Sequence, residues 1–195
     1  TYQAVSGTGA RAMAEWEAQV RAAVAGEPLV AEVYPKPIHA NVLPFVQAFG
    51  PDAITVEEWK MVHETRRILE RPDLALTATC VRVPVRRAHS EAANLEFERP
   101  VRPEEAREWL RAAPGVEVVD DPAALGFPTP RDAEGRDPVL VGRIRRDPSL
   151  PTGLDLWLTG DQVRKGAALN AVQIAEEVFG ARRGPAPRPE GRRGP

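Results

Sequence analysis

The sequence predicts an α+β fold in which a mixed, largely antiparallel sheet is covered by helices on one face. Short β-branched or alternating segments bounded by proline or glycine indicate strands. Longer segments with apolar residues at helical spacing indicate helices that can pack on those strands. No internal repeat is present, so the strands and helices are expected to form one sheet-and-helix unit rather than a repeat array.

The composition is typical of a globular domain and excludes several other classes of protein. A chain of 195 residues with 43% hydrophobic and 28% charged residues is typical of one globular domain. The formal charge of -2 argues against nucleic-acid binding. The single cysteine excludes both a disulfide framework and a cysteine zinc site, and no metal site is predicted. Because no apolar run reaches about 18 residues and no signal peptide opens the chain, we expect no membrane association and a cytoplasmic location.

The first elements are a turn, a helix and a proline-rich segment. Residues 1–9 run into Ser6-Gly7-Thr8-Gly9, which opens a helix over 10–25. Simple helix capping explains such a turn, although backbone N–H groups at a helix start also bind anions. Prolines exclude long helices from 27–53, where 29–34 is predicted to form a short strand.

The segment 55–71 is predicted to be a helix that begins with a capping box, in which Thr55 is the N-cap and Glu58 reaches back. Glu57 and Lys60 are three residues apart and therefore lie on the same face of this helix. On spacing alone, this pair is interpreted as a solvated ion pair on the helix surface.

Two strands, at 75–85 and 88–98, flank the most informative segment. Arg82 and His89 are seven positions apart, which in a straight strand would place them on opposite faces and about 23 Å from each other. They can share a site only if the chain bends, and Pro84 favours a bend because it cannot donate to a sheet ladder. An arginine that grips a carboxylate beside a histidine that moves a proton indicates an active site.

The remaining elements are predicted in order as follows: a helix at 102–113, a strand at 116–120, a surface loop at 121–137, strands at 139–146 and 154–159, and a helix at about 162–178 with Asp161 as N-cap. The basic run 143–146 is interpreted as strand-edge solvation or a subunit contact and is given no role. We expect one domain over 1–180, followed by a disordered Arg/Pro/Gly-rich tail at 181–195.

Four motifs resemble, in the same order, signatures of the aspartate-semialdehyde dehydrogenases. They are Thr-Tyr-Gln-Ala-Val-Ser-Gly-Thr-Gly at 1–9, Glu-Glu-Trp-Lys at 57–60, Arg-Val-Pro-Val-x-Arg-x-His-Ser at 82–90, and Gly-Asp-Gln-Val-Arg-Lys-Gly-Ala-Ala-Leu-Asn at 160–170. The resemblance extends to about residue 178. It implies the C-terminal catalytic and dimerisation domain of that family, which is similar to the C-terminal domain of glyceraldehyde-3-phosphate dehydrogenase. It also implies a homodimer and an N-terminal nucleotide-binding half.

The resemblance also implies a role for each matching position. His89 matches the proton-transfer residue; Gln3, Arg82 and Glu57 match substrate-binding residues; Lys60 matches a phosphate-binding lysine; and Ser6, Gly7 and Gln162 match positions that border NADP. Two small departures are Gln162, where some relatives carry asparagine, and Ala88, where many carry glycine.

The activity that the resemblance implies is the NADPH-dependent reductive dephosphorylation of β-aspartyl phosphate to aspartate semialdehyde and phosphate, in lysine, threonine and methionine biosynthesis. The family nucleophile is a cysteine in an Asn-Cys-x-Thr segment upstream of the Thr-Tyr-Gln motif. Cys80, in an apolar strand, is therefore interpreted as a small buried hydrophobe, despite the nearby histidine. We expect the chain alone to be inactive. The alternative is a non-catalytic dimerisation or binding module derived from the family.

Overall fold

The computed structural model describes residues 1–180. The strands are β1 (Tyr2–Gln3), β2 (Val81–Arg82), β3 (His89–Glu96), β4 (Val116–Val118), β5 (Val139–Arg146) and β6 (Gly153–Gly160). The helices are α1 (Ala10–Ala25), α2 (Val56–Ile68), α3 (Pro103–Ala112), α4 (Pro130–Ala133) and α5 (Leu169–Gly180). Within the described range, no helix has the length and apolar character needed to cross a bilayer. The predicted tail at 181–195 lies outside the described residues.

All six strands form one sheet in the order β2-β1-β3-β6-β5-β4. The outer pairs, β1 with β2 and β4 with β5, are parallel, and the other pairs are antiparallel. The longest register joins β3 to β6, from His89 opposite Gly160 to Glu96 opposite Gly153. The prediction of a mixed, largely antiparallel sheet is therefore confirmed.

Helix α3 covers one face of the sheet at β4 and β5. The core between them contains Val101 and Ala106 from the helix side, and Val141, Ile144, Leu154 and Leu156 from the sheet. These strand residues alternate with residues of the opposite face, as expected for a strand buried on one side. The opposite face bears the aromatic pair Tyr2 and Trp157, whose ring centroids are 5.4 Å apart.

Two predicted strands differ from the structure. The segment 29–34 is not a strand, because α1 side chains bind its backbone: Glu15 accepts the N–H groups of Glu32 and Val33, and Gln19 donates to the carbonyl of Val30. These side chains take the place of a neighbouring strand as hydrogen-bond partners. The strand predicted at 75–85 is reduced to β2, because its partner β1 is itself only two residues long.

The predicted helices are placed correctly, with differences at their ends. Thr55 and Glu58 form the predicted capping box at the start of α2. The last helical segment begins as a π-helical turn over Arg164–Ala168 before α5. The loop predicted at 121–137 contains the short helix α4, because Thr129 and Asp132 cap it reciprocally.

Candidate active site

Strand β1 lies between the strands that carry Arg82 and His89. Gln3 is opposite Arg82 in the parallel pair β1–β2, and Tyr2 is opposite Ser90 in the antiparallel pair β1–β3. The residue after β1, Ala4, then contacts both candidate side chains through its backbone. Its N–H donates to Nδ1 of His89 over 3.0 Å, and its carbonyl accepts from Nη1 of Arg82 over 2.6 Å. One peptide segment thus fixes both side chains.

The chain bends between β2 and β3. Val5 and Ser6 donate their backbone N–H groups to the carbonyls of Val85 and Arg86, over 2.8 and 3.1 Å, and so hold the bend against the turn that follows β1. At its end Ala88 adopts a left-handed conformation, with φ of 70°. The bend required by the spacing of Arg82 and His89 is therefore present.

Gly7 is the point at which the two side chains converge. A β-carbon at this position would lie 2.9 Å from Nη1 of Arg82 and 2.9 Å from both Cε1 and Nε2 of His89. Carbon atoms do not approach other heavy atoms this closely without displacement. A larger residue at position 7 would therefore displace the guanidinium and the imidazole from this point.

His89 is neutral at physiological pH. Burial and the neighbouring cation of Arg82 lower the pKa of His89 from 6.5 to about 4. Because Nδ1 accepts the Ala4 N–H, the neutral imidazole carries its proton on Nε2. The side of the ring that lies against Gly7 thus presents an N–H donor.

Arg82 combines burial with free hydrogen-bonding capacity. Its exposed fraction is 5%, and among the described residues its guanidinium makes one hydrogen bond, to Ala4. The guanidinium has five N–H donors in a planar fork, so most of them remain available to a bound anion. A carboxylate fits such a fork with two parallel hydrogen bonds.

A polar chain runs from Gln3 to the surface. Gln3 donates to one carboxylate oxygen of Glu57 over 3.3 Å, and the other oxygen accepts from Lys60 over 3.1 Å and from Gln47 over 3.0 Å. The ion pair expected from the spacing of Glu57 and Lys60 is present. The side chain of Glu57 is, however, only 14% exposed, whereas that of Lys60 is 47% exposed. The carboxylate of Glu57 thus lies next to Gln3 and binds the ammonium group of Lys60 at the protein surface.

Gln162 connects the bend to the turn after β1. Its Nε2 donates to the hydroxyl of Ser6 over 2.6 Å, and its Oε1 accepts the backbone N–H of Ala88 over 3.1 Å. Gln162 and Gly166 also line a cleft of about 390 Å³ that reaches His89. The three residues matched to cofactor-bordering positions, Ser6, Gly7 and Gln162, thus lie around the candidate proton carrier.

Cys80 is not placed as a nucleophile. It is fully buried, and burial raises the pKa of its thiol. Its backbone N–H donates to Glu58 over 2.9 Å, which ties this segment to α2. Reactive thiols have lowered pKa values and partial exposure, and Cys80 has neither.

Three residues make contacts in the candidate site that the sequence did not predict. Ala4 acts through its backbone and carries no side-chain signal. Gln47 is a loop residue with φ of 65°, and its side-chain amide donates to the carboxylate of Glu57. Asp161 was predicted as an N-cap, and it does accept the N–H of Val163 over 3.0 Å, but it also binds Arg87. No spacing rule predicts these contacts, because the segments meet only in the folded chain.

Comparison with known sequences identifies the family to which the chain is similar. Residues 1–165 match the family model described as semialdehyde dehydrogenase, dimerisation domain. The chain is 54% identical to an aspartate-semialdehyde dehydrogenase of Synechocystis sp. and 49% identical to one of Aquifex aeolicus, covering 90% of this chain and 52% of each relative. The chain therefore spans about half the length of the curated relatives it matches.

The solved structures to which the chain is similar belong to the same family as these relatives. The crystal structure of aspartate semialdehyde dehydrogenase II from Vibrio cholerae superposes with a TM-score of 0.88 at 41% identity, covering 91% of this chain and 52% of that chain. A second structure of that enzyme, complexed with ASA, superposes equally well. A probable aspartate-semialdehyde dehydrogenase from Pseudomonas aeruginosa gives 0.85 at 30% identity, over 90% of this chain and 52% of that chain. The family model, the identity to these relatives and the fold together show that the chain belongs to the semialdehyde dehydrogenase family, in the part that forms its dimerisation domain.

Proposed function

We propose that this chain is the C-terminal half of an NADPH-dependent aspartate-semialdehyde dehydrogenase, which converts β-aspartyl phosphate to aspartate semialdehyde and phosphate. The observation that carries the proposal is the convergence of Arg82 and His89 on Gly7, each 2.9 Å from the position of a β-carbon there. A cationic fork and a neutral imidazole at one point suit a substrate with a carboxylate at one end and a reacting carbonyl carbon at the other.

Arg82 holds the substrate's α-carboxylate in this proposal. Its buried position excludes water from the fork, which strengthens the ion pair formed with the substrate. Gln3 lies beside Arg82 and is bonded to Glu57, whose carboxylate suits the substrate's ammonium group. Lys60, at the exposed end of the same chain, binds the departing phosphate, for which a compact cation with several donors is suited.

His89 moves the proton. Its Nε2–H faces the reacting centre and donates a hydrogen bond to oxygen or sulfur there. To transfer that proton, the imidazole takes up another at Nδ1, in place of the hydrogen bond from Ala4, and the pKa of about 4 makes the resulting imidazolium a ready acid. The substrate carbon is attacked by a thiol of the upstream half. Cys80 does not supply that thiol, because it is buried and its pKa is raised.

The residues present fit one end of the cofactor. Gln162 and Gly166 line the cleft that reaches His89, and Ser6 is bonded to Gln162 at its edge. Ser6, Gly7 and Gln162 would border the cofactor, and bound NADPH would supply the hydride. The amide of Gln162 orients the turn through Ser6 and the bend through Ala88. The rest of the dinucleotide is assigned to the upstream half, since no G-x-G-x-x-G follows a strand in this sequence.

Two surfaces are assigned to partners. Helix α5 carries four apolar residues whose exposed fractions lie between 48% and 60%: Val172, Ile174, Val178 and Phe179. We assign this surface to the N-terminal half of the same protein. The sheet face with Tyr2 and Trp157 is assigned to a second copy, in keeping with the dimerisation domain that the family model describes. The proposal includes the cytoplasmic location that the sequence predicts.

The test is an assay of the protein that joins this chain to an upstream half containing Asn-Cys-x-Thr. Phosphate-dependent oxidation of aspartate semialdehyde should reduce NADP, and the same protein should show no turnover with glyceraldehyde 3-phosphate. The 195-residue chain alone should be inactive. A folded full-length protein without turnover would instead support the non-catalytic dimerisation or binding module.

A further inference from the structure

Asp161 carries a fully buried carboxylate that the proposed chemistry does not use directly. Its side chain has an exposed fraction of 0%, and its two oxygens accept three hydrogen bonds and form an ion pair with Arg87. One oxygen accepts from Nε of Arg87 over 3.1 Å and from the N–H of Val163 over 3.0 Å. The other accepts from the N–H of Gly135 over 2.7 Å and lies 2.8 Å from Nη2 of Arg87 in the ion pair. Such saturation allows a carboxylate to remain charged inside a protein.

The charge on this carboxylate is maintained by its donors. Burial alone would raise the pKa of Asp161, but the hydrogen bonds from Arg87, Gly135 and Val163 lower it below its usual value. The donors belong to three separate segments: the bend before β3, the loop after α4, and the start of the last helical segment. Asp161 therefore joins these three segments at one anion.

The bend that Asp161 holds ends directly at His89. Ala88, between Arg87 and His89, has φ of 70°, a conformation that costs an L-residue about 1 kcal/mol. Two contacts hold Ala88 in this conformation. Asp161 binds the preceding residue, Arg87, and Gln162 accepts the N–H of Ala88 itself. After it, β3 pairing fixes the backbone of His89 opposite Gly160. The direction of the imidazole thus depends on a strained residue that Asp161 helps to restrain.

We propose that Asp161 is a positioning residue that keeps His89 in the orientation needed for proton transfer, acting through Arg87 and the bend. This inference rests on the proposed function of His89. In Asp161→Asn, one oxygen becomes an NH₂ group that faces two donors instead of accepting from them. Arg87 then loses its anion, Ala88 relaxes, and the imidazole moves away from the Ala4 N–H.

A second buried carboxylate provides a matched control. Asp120 is 1% exposed and accepts from Nε of Arg107 over 2.7 Å, and from the backbone N–H groups of Arg143 and Ile144 over 2.8 and 3.3 Å. It holds the irregular part of β5 between Gly142 and Arg145. Because it has the same chemistry but no contact with the bend or His89, Asp120→Asn separates loss of stability from loss of positioning.

The experiment compares both variants in the full-length protein that contains this chain and its upstream half. Both should lower the thermal unfolding midpoint. Asp161→Asn should lower kcat by about 100-fold with KM for the semialdehyde within about threefold, since small misplacement of a catalytic group has effects of this size. Asp120→Asn should keep kcat within about twofold of the wild type, because a distant site adds no misplacement. If Asp161→Asn does not fold, Arg87→Lys should show the same loss confined to kcat.

A crystal structure of the Asp161→Asn or Arg87→Lys protein provides a readout that does not need activity. The 3.0 Å contact between the Ala4 N–H and Nδ1 of His89 should be lost. An unchanged contact, an unchanged kcat, or an equal loss of kcat in Asp120→Asn overturns the inference. If the wild-type protein has no semialdehyde turnover, the proposed function fails, while the variant structure still decides whether Asp161 positions His89.

Discussion

The backbone N–H of Ala4 donates to Nδ1 of His89 across 3.0 Å, and this contact fixes the tautomer of the imidazole. The carbonyl of the same residue accepts from Arg82 over 2.6 Å. A single backbone position therefore sets both the protonation geometry of the histidine and the place of the guanidinium beside it.

Protonation of His89 should destabilise the fold. Its pKa is about 4 in the folded chain and 6.5 when unperturbed, so between these values the unfolded state binds a proton that the folded state does not. The free energy of unfolding should fall by about 1 kcal/mol per pH unit as the pH is lowered from 6.5 to 4. Urea unfolding of the 195-residue chain across this range measures the slope. His89→Gln should have a shallower slope, and identical slopes would contradict the low pKa.

Loss of the Arg82 fork should affect substrate much more than cofactor. In the full-length protein, Arg82→Leu should lower kcat/KM for the semialdehyde by about 100-fold or more, because two charged hydrogen bonds to the carboxylate are lost. Binding of NADP, measured by calorimetry, should change by less than about threefold, since a residue that does not touch the cofactor contributes little to its affinity. The exposed Arg71→Leu serves as the control. Equal losses for substrate and cofactor would remove Arg82 from the carboxylate role.

A methyl group at position 7 should disrupt the site without unfolding the chain. In Gly7→Ala the β-carbon would lie 2.9 Å from Arg82 and His89, so both side chains must move. We expect kcat of the full-length protein to fall by about 100-fold. Gly26→Ala is the control: Gly26 has φ of 71° and no contact within 4 Å, so it should cost about 1 kcal/mol of stability and leave kcat unchanged. Full activity in Gly7→Ala would show that the close contact at Gly7 is not required.

Removal of the Cys80 thiol should leave catalysis intact. Cys80→Ala deletes one buried sulfur atom, which we expect to cost about 1–2 kcal/mol through the small cavity left behind. In the full-length protein, kcat should stay within about twofold of the wild type, as for a residue outside the site. Turnover by the 195-residue chain alone that disappears in Cys80→Ala would identify Cys80 as the nucleophile and reverse this interpretation.

The sequence by itself determined the helices that carry strong local signals. The capping box of Thr55 and Glu58 and the apolar stripe that follows it place α2, because these contacts form within one turn. Alternation of apolar and polar residues predicted β3, since side chains on successive residues face opposite sides of a sheet. Short segments bounded by proline or glycine predicted β5 and β6. The motif resemblance also indicated Arg82, His89 and Gly7 as site residues, and these three lie together in the structure.

Only the tertiary structure decided how these residues meet. Whether 29–34 is a strand depends on Glu15 and Gln19, which lie on α1 and bind that segment across the fold. The place of His89 depends on the backbone of Ala4 and on Asp161, which are 85 and 72 residues away in the chain. Contacts between distant segments depend on the packing of the whole chain, so no local pattern specifies them. The chemical groups of the candidate site are therefore determined by the sequence, whereas the distances between them and the low pKa of His89 depend on the tertiary structure.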